Sequence, residues 1–325
     1  MVVGNVVTKG MRVVSVLPSA TEMLCLIGGE KLLVGRSHED NYPISITDRP
    51  ILTGQKTTFT TSADVDRQVS EALAQGQSLY TLDTTLLEKL QPQVILTQDL
   101  CNVCAIDLVT VQRVAQKMNP SPEVVTLNPM SLQDILHNIA EVGRAVNMEA
   151  EAAETIKNLE KRIAEAKTRG AALLEASGGR RKRVAFLEWT DPIYPGGHWT
   201  PQLIEMAGAS HPIAPATSEE GAGPSVRTRA QAVIDSKPEI IIICPCGLNL
   251  EDAKREARLA MKLDWWKDAT AHCEKIAVVD GDAMFNRPGP RLVDALEWLV
   301  GFIHDKPEYI PQGFPWEFWT ETENK

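Results

Sequence analysis

Short runs of branched apolar residues alternate with helical segments along most of this chain, and this alternation constrains its fold most strongly. Val94–Thr97 and Ile240–Ile243 are nearly continuous apolar runs, without the alternating pattern of a strand that has one face in water. Strands of this kind are buried on both faces, as in parallel sheets that helices cover. The sequence therefore predicts an α/β fold with mainly parallel sheets.

The chain has 325 residues, which is about twice the length of an ordinary domain. Its middle part reads as one long helical stretch from Ser131 to about Ala176, rich in Ala, Glu and Lys and ended by Gly178-Gly179. A surface helix would fit this pattern, but its position between two α/β segments favours a bridging helix. We predict two Rossmann-like lobes, residues 11–128 and 180–325, joined by a bridging helix segment at 129–179.

Charge and hydropathy exclude several classes of protein. The formal net charge is −10, which disfavours a nucleic acid partner because the phosphate backbone would be repelled. No apolar run approaches the roughly 20 residues of a membrane-spanning helix. The first ten residues lack a basic segment followed by an apolar core, so the sequence predicts a cytoplasmic protein without a signal peptide or lipid anchor.

The unusual side chains fall where predicted strands end. Open parallel sheets bind ligands beyond the carboxyl ends of their strands, so these positions are candidate ligand contacts. Nucleotide-binding glycine motifs and the G-x-S-x-G elbow are absent from the sequence, which argues against a hydrolase of the nucleophile-elbow type. The candidate contacts are His38, Glu39, Gln98, Glu188, Trp189, His198, Trp199, Asp282, Phe285, Asn286 and Arg287.

Two pairs of cysteines also follow predicted strands. Cys101 and Cys104 supply half of a tetrahedral zinc shell, and Cys244 and Cys246 could supply the other half. Four such thiols could hold a soft metal ion such as zinc or form a redox pair. Burial of each pair as ordinary packing thiols is the alternative.

Two histidines and two tryptophans suggest the shape of the ligand. His38 and His198 could each be an axial ligand to a metal complex, although hydrogen bonding to loop backbone is the commoner role. Trp189 and Trp199 flank a loop that proline and glycine shape into a lip. A broad, flat and partly apolar ligand would suit this wall.

Several motifs together resemble one family. The chain is similar to the cobalamin-binding branch of the class III, TroA-like substrate-binding proteins of ABC importers, which have a helical backbone. The cysteine motifs resemble a soluble subgroup of it. The resemblance covers about residues 11–305 and rests on Arg12-Val-Val-Ser-Val-Leu-Pro-Ser-Ala-Thr-Glu22, Val34-Gly-Arg-Ser-His-Glu39, the loop from Leu96 to Ala105, Phe186-Leu-Glu-Trp189 and the segment from Asp280 to Arg291.

This resemblance implies a non-catalytic protein that binds cobalamin, or a related corrinoid or metal chelate, in a cleft between two lobes. Members linked to importers carry an export signal or lipid anchor, so we do not expect an ABC permease as partner of this chain. Two alternatives stay open: a cytosolic metal-binding or redox protein that uses the cysteines, and an enzyme that acts on a corrinoid-like ligand.

Overall fold

A computed structural model describes residues 10–75, 78–99, 108–217 and 222–319. The chain forms two compact units. The first holds the chain up to Thr58 with Gln68–Pro129 and Leu136–Asn158, and the second holds Phe59–Arg67, Met130–Ile135 and Leu159–Lys325. These units do not follow the predicted domain bounds residue for residue, so those bounds stay a prediction.

The strands are short, and β5 and β9 coincide with the two apolar runs of the sequence. They are β1 (Val13–Ser15), β2 (Leu33–Gly35), β3 (Thr53–Gln55), β4 (Tyr80–Leu82), β5 (Val94–Thr97), β6 (Glu123–Thr126), β7 (Val184–Thr190), β8 (Ile193–Pro195), β9 (Ile240–Ile243), β10 (Lys275–Val279) and β11 (Trp316–Trp319).

Helices follow most of the parallel strands, as the α/β pattern predicts. They are α1 (Pro18–Leu26), α2 (Ser62–Ala74), α3 (Thr84–Leu90), α4 (Leu108–Lys117), α5 (Leu132–Ala145), α6 (Glu149–Ala176), α7 (Thr200–Met206), α8 (Ala230–Ser236), α9 (Leu250–Ala260), α10 (Trp266–Ala269) and α11 (Leu292–Ile303). Among the residues described here, no helix has both the length and the apolar character that crossing a bilayer requires.

The first unit contains a parallel sheet of four strands in the order β2-β1-β5-β6. Val14 and Ile95 on its central strands are fully buried, and Val111 of α4 and Leu87 of α3 pack into the same apolar cluster. A separate antiparallel pair, β3 and β4, belongs to this unit. The parallel sheet predicted for this part of the chain is confirmed.

The second unit contains a mixed sheet of five strands in the order β11-β10-β9-β7-β8. The three central strands are parallel, whereas the edge strands β8 and β11 run antiparallel to their neighbours. All residues of β9 are fully buried, as expected for the most apolar run in the sequence. The carboxyl ends of β7, β9 and β10 therefore meet at one edge of this sheet.

The stretch predicted as one helix from Ser131 to Ala176 is two helices, and this detail of the prediction is wrong. Asn147 adopts a left-handed backbone with φ of 57°, and the Met148 N–H donates to the Gly143 carbonyl at 2.7 Å. Asparagine tolerates this conformation, which ends α5 before α6 begins. A Cβ on Gly143 would lie 2.5 Å from the Ala152 Cβ, so the two helices pack closely.

Candidate ligand-binding site

Glu188 and Trp189 lie inside β7, not after its end as the sequence predicts. Leu187 pairs with Pro195 and Trp189 pairs with Tyr194, so Glu188 is an extra residue in β7. Such a bulge bends a strand and redirects a side chain, and bulges are frequent beside functional sites. The bulge explains why adjacent residues of one strand are both half-buried.

The Glu188 carboxylate accepts hydrogen bonds from the Ser225 hydroxyl and the Gly197 N–H. Gly197 also donates to the Ser225 hydroxyl, and a Cβ on Gly197 would lie 2.5 Å from the Ser225 nitrogen. Only glycine fits this close approach. Burial raises the pKa of Glu188 to about 7, although both hydrogen bonds act in the opposite direction. Glu188 is therefore a carboxyl group that can carry a proton near neutral pH.

This raised pKa predicts a pH dependence of stability. An ordinary glutamate carboxyl has a pKa of 4.5, and the pKa of Glu188 in the folded protein is about 7. Between these two pH values, the folded protein keeps a proton that the unfolded chain has released. Stability must then fall as the pH rises through this range. Relative to Glu188→Gln, the free energy of unfolding of the unaltered protein should fall by up to about 1.4 kcal/mol per pH unit.

The measurement is urea unfolding of both proteins from pH 4.5 to 8. Buried His211, with a pKa lowered to about 4, acts in the opposite direction below pH 6.5. Because His211 is present in both proteins, its contribution cancels in their difference. Parallel stability curves for the two proteins would contradict the raised pKa.

Trp189 lies beside aromatic and polar groups of the second unit. The Phe59 ring lies 6.5 Å from the Trp189 ring, centroid to centroid. On the neighbouring strand, the Tyr194 hydroxyl donates to Asp66 at 3.1 Å, and the Arg227 guanidinium is 4.0 Å from the same carboxylate. The segment Phe59–Arg67 thus contributes an aromatic ring and a carboxylate to the surroundings of Trp189.

Cys244 is a buried thiol at the end of β9. Its Sγ lies 3.8 Å from the Asp280 carbonyl and 3.7 Å from the Met284 carbonyl, two acceptors within reach of the single thiol hydrogen. Burial, with smaller contributions from nearby acids, raises the pKa of Cys244 well above its usual value. These conditions favour the protonated thiol over the thiolate that a metal binds.

The predicted shared metal site needs Cys101 and Cys104, which lie outside the described residues, so that prediction stays open. Cys246, two residues after Cys244, is half-buried. No group of three or more potential metal ligands occurs among the residues that the structure describes.

The loop after β10 is fixed by its own side chains. Asp280 accepts from the N–H groups of Ala283 at 2.7 Å and Leu250 at 3.3 Å. Asn286 donates to the carbonyls of Cys244 at 3.1 Å and Gly281 at 2.9 Å, which ties this loop to the turn after β9. Asn286 therefore positions the loop.

Two charged residues of the same loop form an ion pair. The Arg287 guanidinium donates to Asp282 at 2.8 Å. Arg287 is buried, whereas Asp282 is half-buried. Asp282 is thus the member of this pair with more surface available to a ligand.

Trp199 and Phe285 are buried in the second unit, so Trp199 does not flank an exposed lip as predicted. The Trp199 indole N–H donates to the Phe285 carbonyl at 2.6 Å, and the Phe285 ring packs 4.8 Å from Phe186. His198 is half-buried, with a φ of 52° and its ring stacked on Trp199 at 5.2 Å. Burial lowers the pKa of His198, so its imidazole is neutral at pH 7.

In the first unit, His38 and Glu39 follow β2 and Gln98 follows β5, as predicted. Gln98 is buried, whereas His38 and Glu39 are half-buried. Burial lowers the pKa of His38, which keeps this imidazole neutral as well. His38 and Glu39 are thus the predicted contacts of this unit with exposed surface.

A cavity of about 260 Å³ lies elsewhere in the second unit. Its lining includes Leu174, Arg181 and Met206. Arg181 precedes β7, so this cavity is near the amino ends of the strands. It does not coincide with the predicted ligand contacts.

The fold is shared with solved structures of binding proteins at low sequence identity. A periplasmic heme binding protein from Pseudomonas aeruginosa matches with a TM-score of 0.67 and 16% identity, over 91% of this chain and 93% of that one. The periplasmic vitamin B12 binding protein BtuF of Vibrio cholerae matches with a TM-score of 0.62 and 16% identity, over 91% of this chain and 98% of that one. An ABC transporter substrate-binding protein from Listeria monocytogenes matches with a TM-score of 0.63 and 15% identity, over 91% of this chain and 100% of that one.

No protein-family model matches the sequence, and no curated protein matches it. The solved structures establish that this chain has the fold of class III periplasmic binding proteins, as the resemblance of its motifs implies. The match extends over both compact units.

The prediction of a cytoplasmic location is wrong. The matched heme and vitamin B12 binding proteins are periplasmic. The prediction rested only on the composition of the first ten residues, which carries no information about the fold. The same ten residues were the reason not to expect an ABC permease as partner, so that expectation has lost its support.

No sequence pattern identifies Phe59, Thr53 or Ser225 as residues near the candidate contacts. Each lies in a segment without apolar periodicity, and each reaches its partner only through tertiary packing. The glycines and proline around Ser225 indicate a turn. They do not indicate which strand that turn approaches.

Proposed function

We propose that this protein binds a chelated metal, such as a corrinoid or a heme, reversibly and without chemical change. The observation that carries the proposal is the fold, which is shared over 91% of the chain with proteins named for heme and vitamin B12 binding. Function depends on the site as well as the fold, so the contacts must come from this chain's own residues.

The strand-end residues of each unit fit such a ligand. Trp189 offers a half-buried aromatic surface for a flat ring system, and Glu188 and Asp282 offer carboxyl groups for polar substituents of the ligand. His38 offers a neutral imidazole, the form that coordinates a metal. We propose these four residues, with Glu39 and His198, as ligand contacts.

Within this class we propose a corrinoid as the ligand. The support is the resemblance of the motifs at Arg12–Glu22 and Asp280–Arg291 to the cobalamin-binding branch. Heme is the competing chelate because it is the named ligand of a matched structure. A competition experiment, in which aquacobalamin and hemin are added together in equal amounts, should show preferential retention of the corrinoid.

Binding without catalysis has its own test. The purified protein is incubated with aquacobalamin and separately with hemin, and each ligand is then recovered and weighed by mass spectrometry. We expect each recovered ligand to have the mass of the starting compound. A new mass that appears in proportion to time and protein concentration would identify an enzyme instead.

A further inference from the structure

The loop that carries His38 is fixed by two buried hydroxyl groups of the first unit. Both the backbone N–H of His38 and its Nδ1 lie within hydrogen-bond distance of the Thr53 Oγ1, at 3.0 and 2.7 Å. The Thr53 hydroxyl donates in turn to the Ser37 Oγ at 3.2 Å. Ser37 also accepts from the Glu39 N–H at 3.1 Å, so the loop has one defined arrangement.

These contacts limit how the proton of the His38 ring can be placed. A hydroxyl group has one hydrogen to donate and two lone pairs to accept with. When Thr53 gives its hydrogen to Ser37 and accepts from the His38 backbone, its remaining lone pair accepts from Nδ1–H; when Ser37 donates instead, the Thr53 hydrogen goes to Nδ1. In the first arrangement, Nε2 of the neutral imidazole carries a lone pair and no hydrogen.

Nε2 of His38 is buried and has no hydrogen-bond partner. The Glu39 carboxylate is 3.9 Å away, beyond hydrogen-bond distance, and the Tyr80 ring is 5.8 Å from the imidazole ring. The Glu39 side chain is 37% exposed, so His38 lies beside a side chain that reaches water.

A single nitrogen of this kind suits a metal that already has most of its ligands. A free zinc ion needs three or four protein ligands, and the described residues contain no group of three. A macrocyclic chelate supplies the equatorial ligands itself and leaves an axial position open. Histidines that bind metals usually donate their second ring N–H to a fixed acceptor, which is the role Thr53 has here.

We propose that His38 is an axial ligand that coordinates the metal of the bound chelate through Nε2, and that Thr53 is the positioning residue that holds the required tautomer. This assignment rests on the proposed function. It specifies Nε2 as the coordinating atom and the hydrogen bond to Thr53 that leaves this atom without a hydrogen.

The first test measures the tautomer of His38 in the protein without any ligand. In ¹⁵N-histidine-labelled protein, nitrogen NMR should show His38 protonated at Nδ1, and Thr53→Ser should retain this state because it keeps the hydroxyl. Thr53→Val removes the acceptor and should shift the population toward the Nε2-protonated form. Protonation of His38 at Nε2 in the unaltered protein would overturn the assignment.

The second test reads coordination directly. Absorption spectra of the protein loaded with hemin or aquacobalamin should show a nitrogen axial ligand that His38→Ala abolishes. His137 is an exposed helical histidine, and His137→Ala is the matched control that should keep the spectrum. In His38→Gly, added imidazole should restore the nitrogen-ligated spectrum. Thr53→Val should weaken binding about tenfold to a hundredfold, the usual effect of losing such a partner.

These experiments separate the assignment from the proposed function. A chelate that binds with the same spectrum to the unaltered protein and to His38→Ala would overturn the assignment alone. Failure of the unaltered protein to take up either chelate would overturn the proposed function, and the assignment with it.

Discussion

Replacing Trp298 with alanine is expected to lower the free energy of unfolding by about 3–5 kcal/mol, the range for deleting a large buried aromatic side chain. Trp298 is fully buried in α11. Its ring stacks on Phe302 at 4.8 Å and Phe314 at 5.2 Å, and it contacts Phe285 and Trp316 edge to face. Four aromatic rings would face the resulting cavity, and rigid rings close a cavity poorly.

Urea unfolding followed by circular dichroism measures this loss. Trp298→Phe is the matched control, because it keeps a ring in the stack and removes an indole N–H that has no hydrogen-bond partner. We expect it to cost less than half as much as the alanine variant. A loss below about 1 kcal/mol for Trp298→Ala would show that this cluster is not a main source of stability.

Replacing Trp189 with alanine should weaken chelate binding by about 1–3 kcal/mol, the effect of removing an aromatic residue at the centre of a binding surface. Trp189 is half-buried and lies next to the bulge at Glu188. Binding constants from absorption titrations with aquacobalamin and hemin provide the measurement. Trp189→Phe keeps an aromatic face and should recover most of the affinity.

Trp265 provides a control of the same residue type. It is also half-buried in the second unit, and its ring packs against Trp266 at 5.6 Å, away from the predicted contacts. Trp265→Ala should leave the chelate affinity unchanged. If Trp189→Ala lowers stability but not affinity, Trp189 belongs to the packing of the unit and not to a ligand site.

The sequence predicted the parallel strands well because burial on both faces leaves a simple signal. The apolar runs Val94–Thr97 and Ile240–Ile243 have the same bounds as β5 and β9 in the structure. The edge strands β8 and β11 were not predicted. Ile193–Pro195 contains a proline, and Trp316–Trp319 is short and aromatic, so neither has the pattern of a buried parallel strand.

The candidate contacts stay a prediction, but their surroundings show what the sequence could indicate. For most of them, a place at a strand end follows from topology alone. Whether a side chain there is exposed depends on its tertiary neighbours, and Trp199 and Phe285 are covered by packing that the sequence does not reveal. The bulge at Glu188 likewise arises from pairing with β8, to which no local pattern points.

The most direct test of the account is calorimetric titration of the whole protein with aquacobalamin and with hemin. The proposed function predicts saturable binding of at least one chelate, with a defined stoichiometry and a loss of affinity in Trp189→Ala. The Trp265→Ala control should behave as the unaltered protein does. Absence of saturable heat for both chelates, from protein that unfolds cooperatively in urea, would contradict the claim that this chain is a chelate-binding protein.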